Sequence, residues 1–211
     1  MEEKNRYPHL SPAWLAIIGI FLGILLAIAA YSVGRVLRPT PILRGAMLYP
    51  PVPAVDFRLQ GVDDKNYSLY DFRDQPVLLT FSCIGCSQNN TLMSTLVEAK
   101  QLVDRDGHRL KVLIISVDPL KERFAAFVEL IEDYDPEFLG LSGDQKEIND
   151  LARSYDVFFE IPIGENKNES SVALTSFIML VDGSGNWRAV YPLRMAAIDI
   201  AADIKILLDE E

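Results

Sequence analysis

The 211-residue chain is about one and a half times the usual domain length, so one globular body with an additional segment is expected. At 49% hydrophobic and 24% charged it is not a disordered tail protein. The net charge of −10 is uneven: residues 1–44 carry five basic and two acidic side chains (+3), leaving 15 basic and 28 acidic (−13) beyond them. A body so acidic repels phosphate and argues against nucleic acid as a partner, and two cysteines alone exclude a disulfide scaffold or a four-cysteine zinc site.

Residues 1–11 form a polar N-terminal tail that leads into an apolar run. The 25 residues 10–34 contain no Asp, Glu, Lys, Arg or His, and the stretch is apolar on every face. About 20 such residues, at about 1.5 Å each, cross a hydrocarbon core about 30 Å thick. Trp14 and Tyr31 stand near its ends, where amphipathic rings favour the membrane interface. A cleaved signal peptide is the competing reading, through the small-residue pattern at Ala27-Ile28-Ala29. The length of the run and its weakly basic start favour a retained transmembrane anchor over residues 12–34, with the lipid bilayer as its partner. Lys4 and Arg6 on one side balance Arg35, Arg38 and Arg44 on the other, so flanking charge leaves the orientation open. Residues 35–53 hold Pro39, Pro41, Pro50, Pro51 and Pro53 and read as an extended, semi-rigid linker.

From residue 54 to 211 the pattern is α/β. Residues 56–59 and 67–70, either side of a polar turn, predict a hairpin. Residues 76–81, 111–117 and 177–181 are short apolar runs of the kind buried on both sheet faces. A turn at 182–186 returns the chain as an antiparallel edge strand over 187–191. Helices are predicted over 86–105, 120–133, 144–154 and 195–209 from apolar stripes at helical spacing.

The chemically loaded motif is Cys83-Ile84-Gly85-Cys86, placed after the first buried strand and at the predicted start of the first long helix. Two intervening residues allow the sulfurs to come within disulfide range. A helix N-terminus offers N–H groups and positive dipole to the first sulfur, which favours thiolate. Cys83 is then the attacking thiol and Cys86 resolves the mixed disulfide. Inert buried cysteines and a static disulfide are the structural alternatives, but strand, CxxC and helix in that order form a redox signature. His9 precedes the membrane run and His108 follows the far end of the predicted helix, so neither reaches the motif. Asp118 ends the second strand near the same sheet edge, where a helix cap is its ordinary role. Three Asn-x-Ser/Thr triplets begin at Asn66, Asn89 and Asn168.

Residues 53–59 (PAVDFRL) and 67–80 (YSLYDFRDQPVLLT) resemble the opening of thioredoxin-like redox proteins. Residues 115–119 (ISVDP), 135–144 (DPEFLGLSGD), 147–159 (EINDLARSYDVFF) and 177–185 (FIMLVDGSG) resemble the SCO/SenC family more specifically, over about residues 53–200. The resemblance implies a thioredoxin-like central sheet flanked by helices and preceded by an N-terminal transmembrane helix. It also implies a single-pass location with the body on the periplasmic, exoplasmic or intermembrane-space side. Members help assemble the dicopper centre of cytochrome c oxidase, as copper carriers, thiol reductants or both. The implied partner is the copper-binding subunit of that oxidase, or another thiol/disulfide protein.

The site departs from the family in three places. The family spaces its cysteines CxxxC rather than CxxC; a proline follows the second cysteine where this chain has Ser87; and the copper-binding histidine aligns with Leu174. The three-ligand copper site is therefore incomplete, although Cys83 and Cys86 as thiolates remain suited to Cu(I). Thioredoxin proper keeps a cis-proline opposite its CxxC, and residues 172–177 contain none. The Pro76…Thr80…Cys83 spacing matches a peroxiredoxin pattern, but Pro76 opens a strand here. Three readings follow: a SCO-type redox protein in oxidase maturation, a general membrane-tethered thiol–disulfide oxidoreductase, and a non-catalytic SCO-like binding or sensing module.

Overall fold

A computed structural model describes residues 12–36, 42–84, 86, 88–104, 109–118, 121–160 and 173–210. The chain divides into two compact units, Met1–Pro41 and Ile42–Glu211.

The first unit contains helix α1, Pro12–Val36, which covers the expected anchor and runs two residues past it. Ile17, Phe21, Ile24, Leu25 and Ile28 are all exposed, as are the side chains between them. Among the described residues no helix is long and apolar enough to cross a membrane.

The second unit is built from β1 (Ala46–Pro53), β2 (Arg58–Gly61), β3 (Asn66–Ser68), a 3-10 turn (Leu69–Phe72), β4 (Val77–Ser82), α2 (Asn89–Val103), β5 (Lys111–Ser116), α3 (Lys121–Tyr134), β6 (Leu139–Ser142), α4 (Gln145–Ser154), β7 (Phe159–Glu160), β8 (Ala173–Leu174), β9 (Phe177–Val181), β10 (Asn186–Pro192) and α5 (Ala197–Glu210). Eight strands form one sheet in the order β1-β10-β9-β4-β5-β6-β2-β3, and β7 pairs with β8 in a separate ribbon. β4, β5 and β6 are parallel; β9 and β10 close one side antiparallel, as in thioredoxin-like folds.

Strand parity divides the core. Leu78, Ile114, Ile178 and Leu180 face one side, where α2 and α5 supply Leu92, Leu96, Ile200 and Ile204. Val77, Leu79 and Phe81 face the other, against Ile148, Leu151 and Tyr155 from α4 and the residue after it. Both faces are covered, which is why these strands read as continuous apolar runs. α4 starts on a capping box in which Asp144 accepts from the Glu147 N–H at 2.8 Å.

Three expectations need correction. Residues 46–53 of the expected linker form β1, paired antiparallel with β10. Pro50 and Pro51 fall within the register break between Met47 and Val52, and an edge strand tolerates prolines that lack a ladder donor. β10 is consequently not an edge strand, because β1 covers its outer side. β6 was not predicted; it is only four residues long and includes Gly140, where a Cβ would meet Ile131 Cδ1 and Val128 Cγ2 of α3 at 2.9 Å. The hairpin β2–β3 and the remaining helices lie where the sequence predicts them, within a few residues.

The chain enters β1 through a buried tether. Asp203 of α5 is fully buried and accepts from the Arg44 N–H (2.8 Å), the Gly45 N–H (3.0 Å) and the Tyr191 hydroxyl (3.0 Å). Asp203→Ala strands these donors, so unfolding in urea should show a loss of about 3 kcal/mol. A midpoint unchanged from wild type would show that the tether carries no stability. Burial, and next the Asp203 carboxylate, hold the Tyr191 phenol above its ordinary 10.0. Its native pKa exceeds the unfolded one, so this contribution is complete below about pH 10 and is lost as pH rises past it. Stability measured between about pH 8 and 11 should fall less steeply in Tyr191→Phe than in wild type.

Candidate redox site

Cys83 follows β4 directly and keeps its parity. It points the same way as Val77, Leu79 and Phe81, into the core beneath α4, and is 1% exposed. Cys86 is half-buried and packs at the margin of that same cluster. The two sulfurs are joined at 2.07 Å, with the Cα atoms 5.3 Å apart.

The loop is held by backbone bonds. The Cys86 N–H donates to the Cys83 carbonyl at 3.3 Å, and the Asn89 N–H donates to the Cys86 carbonyl at 3.2 Å. α2 begins at Asn89, not at residue 86 as expected, with Gln88 at its N-cap making no side-chain cap bond. The disulfide loop precedes the helix and does not form its first turn. A helix dipole acts within about one turn, so the thiolate argument made for Cys83 does not attach to it; Cys86 stands closer to the helix start.

Asn89 is the residue that sequence reasoning undervalued. It drew notice only as the first residue of an Asn-Asn-Thr triplet, yet it is 8% exposed and both polar atoms of its amide are engaged. Its Oδ1 accepts from the Ser82 hydroxyl and its Nδ2 donates to the Cys83 carbonyl at 2.5 Å. A buried, bonded amide is no glycosylation acceptor. The usable signal was a polar residue just past CxxC, at the foot of a helix, facing a strand that ends in serine.

Asp118 lies where its strand places it. Ser82 and Ser116 are register partners in the parallel β4–β5 pair, the Val117 N–H donates to the Ser82 carbonyl at 2.9 Å, and Asp118 is buried at the same sheet edge. Leu174 pairs with Phe159 across the β7–β8 ribbon and packs half-buried against the cluster that contains Cys83. The structure thus brings Leu174 to the cluster of the two cysteines, with a branched alkyl group where the resemblance implied a nitrogen. His9, His108, Gly85, Ser87 and Asn168 lie outside the described residues.

For a metal the donor set is thin. Among the described residues no three or more His, Cys, Asp or Glu side chains are grouped to hold an ion. In the disulfide state the sulfurs have no thiolate to offer, so any metal requires prior reduction and then meets two thiolates. A two-electron couple is the chemistry that the oxidised pair supports directly.

The SCO1/SenC family model matches residues 50–209. The bovine protein "Protein SCO2 homolog, mitochondrial" is 28% identical over 175 residues, covering 82% of this chain and 64% of the relative, so the chain spans a little under two thirds of that relative's length. The solution structure of apo Sco1 from Thermus thermophilus superposes with a TM-score of 0.69 at 26% identity, over 81% of this chain and 99% of that one. BsSco, described as carrying a disulfide switch and as a member of the Sco family of cytochrome c oxidase assembly proteins, shares the fold (TM-score 0.60, 22% identity, 76% of this chain and 96% of that one).

Proposed function

The chain belongs to the SCO1/SenC family, and on that premise we propose that it is a membrane-anchored thiol–disulfide redox protein assisting maturation of the copper centre of cytochrome c oxidase. One observation carries the reading: the chain's only cysteines are joined at the end of β4, while Leu174, packed against the same core cluster, supplies no third copper ligand. In the proposed step the reduced Cys83/Cys86 pair meets a disulfide in the oxidase's copper-binding subunit. A thiolate of the pair attacks one partner sulfur, a mixed disulfide forms, and the second thiolate displaces it. The Cys83–Cys86 bond forms, the partner's bond breaks, and two electrons and two protons pass to the partner cysteines. Copper is cargo only for a pair that still holds its electrons, or that an external thiol has reduced again. Cu(I) suits two soft thiolates, so the reduced pair can hold it without a nitrogen donor.

The two-residue cysteine spacing favours a second reading, a general membrane-tethered thiol–disulfide oxidoreductase with other substrates. Cells lacking the chain separate the two. The first reading expects low oxidase copper and activity, restored by wild type and by neither Cys83→Ser nor Cys86→Ser. Normal oxidase with other disulfide proteins left oxidised would favour the second. Full rescue by Cys83→Ser would support a non-catalytic binding role.

The anchor reading rests on the sequence, whose residues 10–34 carry no charge, and is supported by the exposed Ile, Leu and Phe side chains of α1. With residues 12–34 in the bilayer, the body from 54 onward, together with β1, is proposed to face the extracytoplasmic side, where a disulfide persists. A reporter fused after Glu211 should be active only when exported. An active cytoplasmic reporter there would overturn the topology.

A further inference from the structure

We propose that Asn89 is a positioning residue for the Cys83–Cys86 couple, clamping the redox loop so that the two thiols stay within bonding range when reduced. The proposal rests on the redox reading above and names what tunes it. Asn89 grips the loop at three points. Its Oδ1 takes the Ser82 hydroxyl, its Nδ2 donates to the Cys83 carbonyl at 2.5 Å, and its own N–H donates to the Cys86 carbonyl at 3.2 Å. Ser82 is the last residue of β4 and Asn89 the first of α2, so the amide links the two rigid elements that flank the cysteines. The Cys83 carbonyl also receives the Cys86 N–H at 3.3 Å, so both donors on that one oxygen hold the turn between the cysteines.

The sign of the effect follows from which redox state needs the clamp. In the disulfide state the S–S bond already ties Cys83 to Cys86, and the clamp adds little order. In the dithiol state no S–S bond joins them, and among the described residues these hydrogen bonds limit the loop. Removing the clamp frees the dithiol more than the disulfide. The effective concentration of one thiol at the other falls, and the disulfide becomes easier to reduce. Asn89 touches no sulfur in this account; it acts through the Cys83 carbonyl.

Equilibration of the full chain in detergent with glutathione buffers tests this, through protein disulfide plus two glutathione thiols giving protein dithiol plus glutathione disulfide. The oxidised fraction is read by thiol labelling and mass. Asn89→Ala should raise the constant of this reduction about tenfold, a potential about 30 mV less negative. Ser82→Ala, a milder change that removes one hydroxyl, should move it in the same direction by about threefold. Asn89→Asp keeps the acceptor for Ser82 but loses the donor to the Cys83 carbonyl, and should behave as Asn89→Ala does. A purely structural role would lower the thermal midpoint and leave these constants alone. Folded Asn89→Ala and Ser82→Ala proteins with wild-type constants overturn the clamp while the redox reading stands. A wild-type pair that never exchanges with glutathione sinks the redox reading and the clamp with it.

Discussion

With Cys83 replaced by Ser, the remaining Cys86 thiol should react with an aromatic disulfide reagent on the order of 100-fold faster than Cys83 does in the Cys86→Ser variant. Cys83 is 1% exposed and belongs to the core beneath α4, whereas Cys86 sits at the margin of that core. A reagent reaches Cys83 only through local opening, and an opening cost of about 3 kcal/mol is a factor of about 100. On that ratio the mixed disulfide with a partner would form on Cys86, with Cys83 resolving it from within. The sequence alone expects the opposite order, Cys83 attacking and Cys86 resolving, from a helix that starts at residue 86 and puts Cys83 at the dipole. Stopped-flow absorbance on the two variants measures the ratio. Equal rates, or a faster Cys83, would show that the loop opens as a unit and that burial in the oxidised state does not govern attack.

The second large effect concerns copper. The reduced chain should bind one Cu(I) through Cys83 and Cys86 and bind Cu(II) weakly, because Cu(II) favours imidazole and the described residues offer no third ligand. Leu174 packs against the cluster that holds both cysteines, so Leu174→His introduces a nitrogen there at nearly unchanged volume. That variant should gain Cu(II) affinity by about two orders of magnitude and show a thiolate charge-transfer band. Chelator competition followed by absorbance reads both. No gain would mean that the two-residue spacing turns the sulfurs away from position 174. Tight Cu(II) binding by the wild-type chain would reveal a ligand outside the described residues. Cys83→Ser should abolish Cu(I) retention in either background.

What the sequence determined by itself was local or short in range. Unbroken apolar runs at 76–81 and 111–117 marked strands covered on both faces, helical spacing marked the helix from 144, and CxxC after a strand marked the two sulfurs that the structure joins. Each is written in neighbouring residues, because periodicity and sulfur spacing both act within a turn or a few residues along a strand. The tertiary structure decided the rest. β1 exists because β10, far along the chain, offers it an edge, and no local propensity foretells strand pairing through Pro50, Pro51 and Pro53. Cys83 is the buried sulfur because β4 carries its parity one residue further, beneath a helix that the CxxC motif does not mention. Asn89 reaches the Ser82 hydroxyl and the Cys83 carbonyl only when the start of α2 lies against the end of β4, and Leu174 joins the cluster that contains Cys83 only through the packing of the β7–β8 ribbon. Long-range packing sets which side chains share a site, and a one-dimensional pattern holds no term for it.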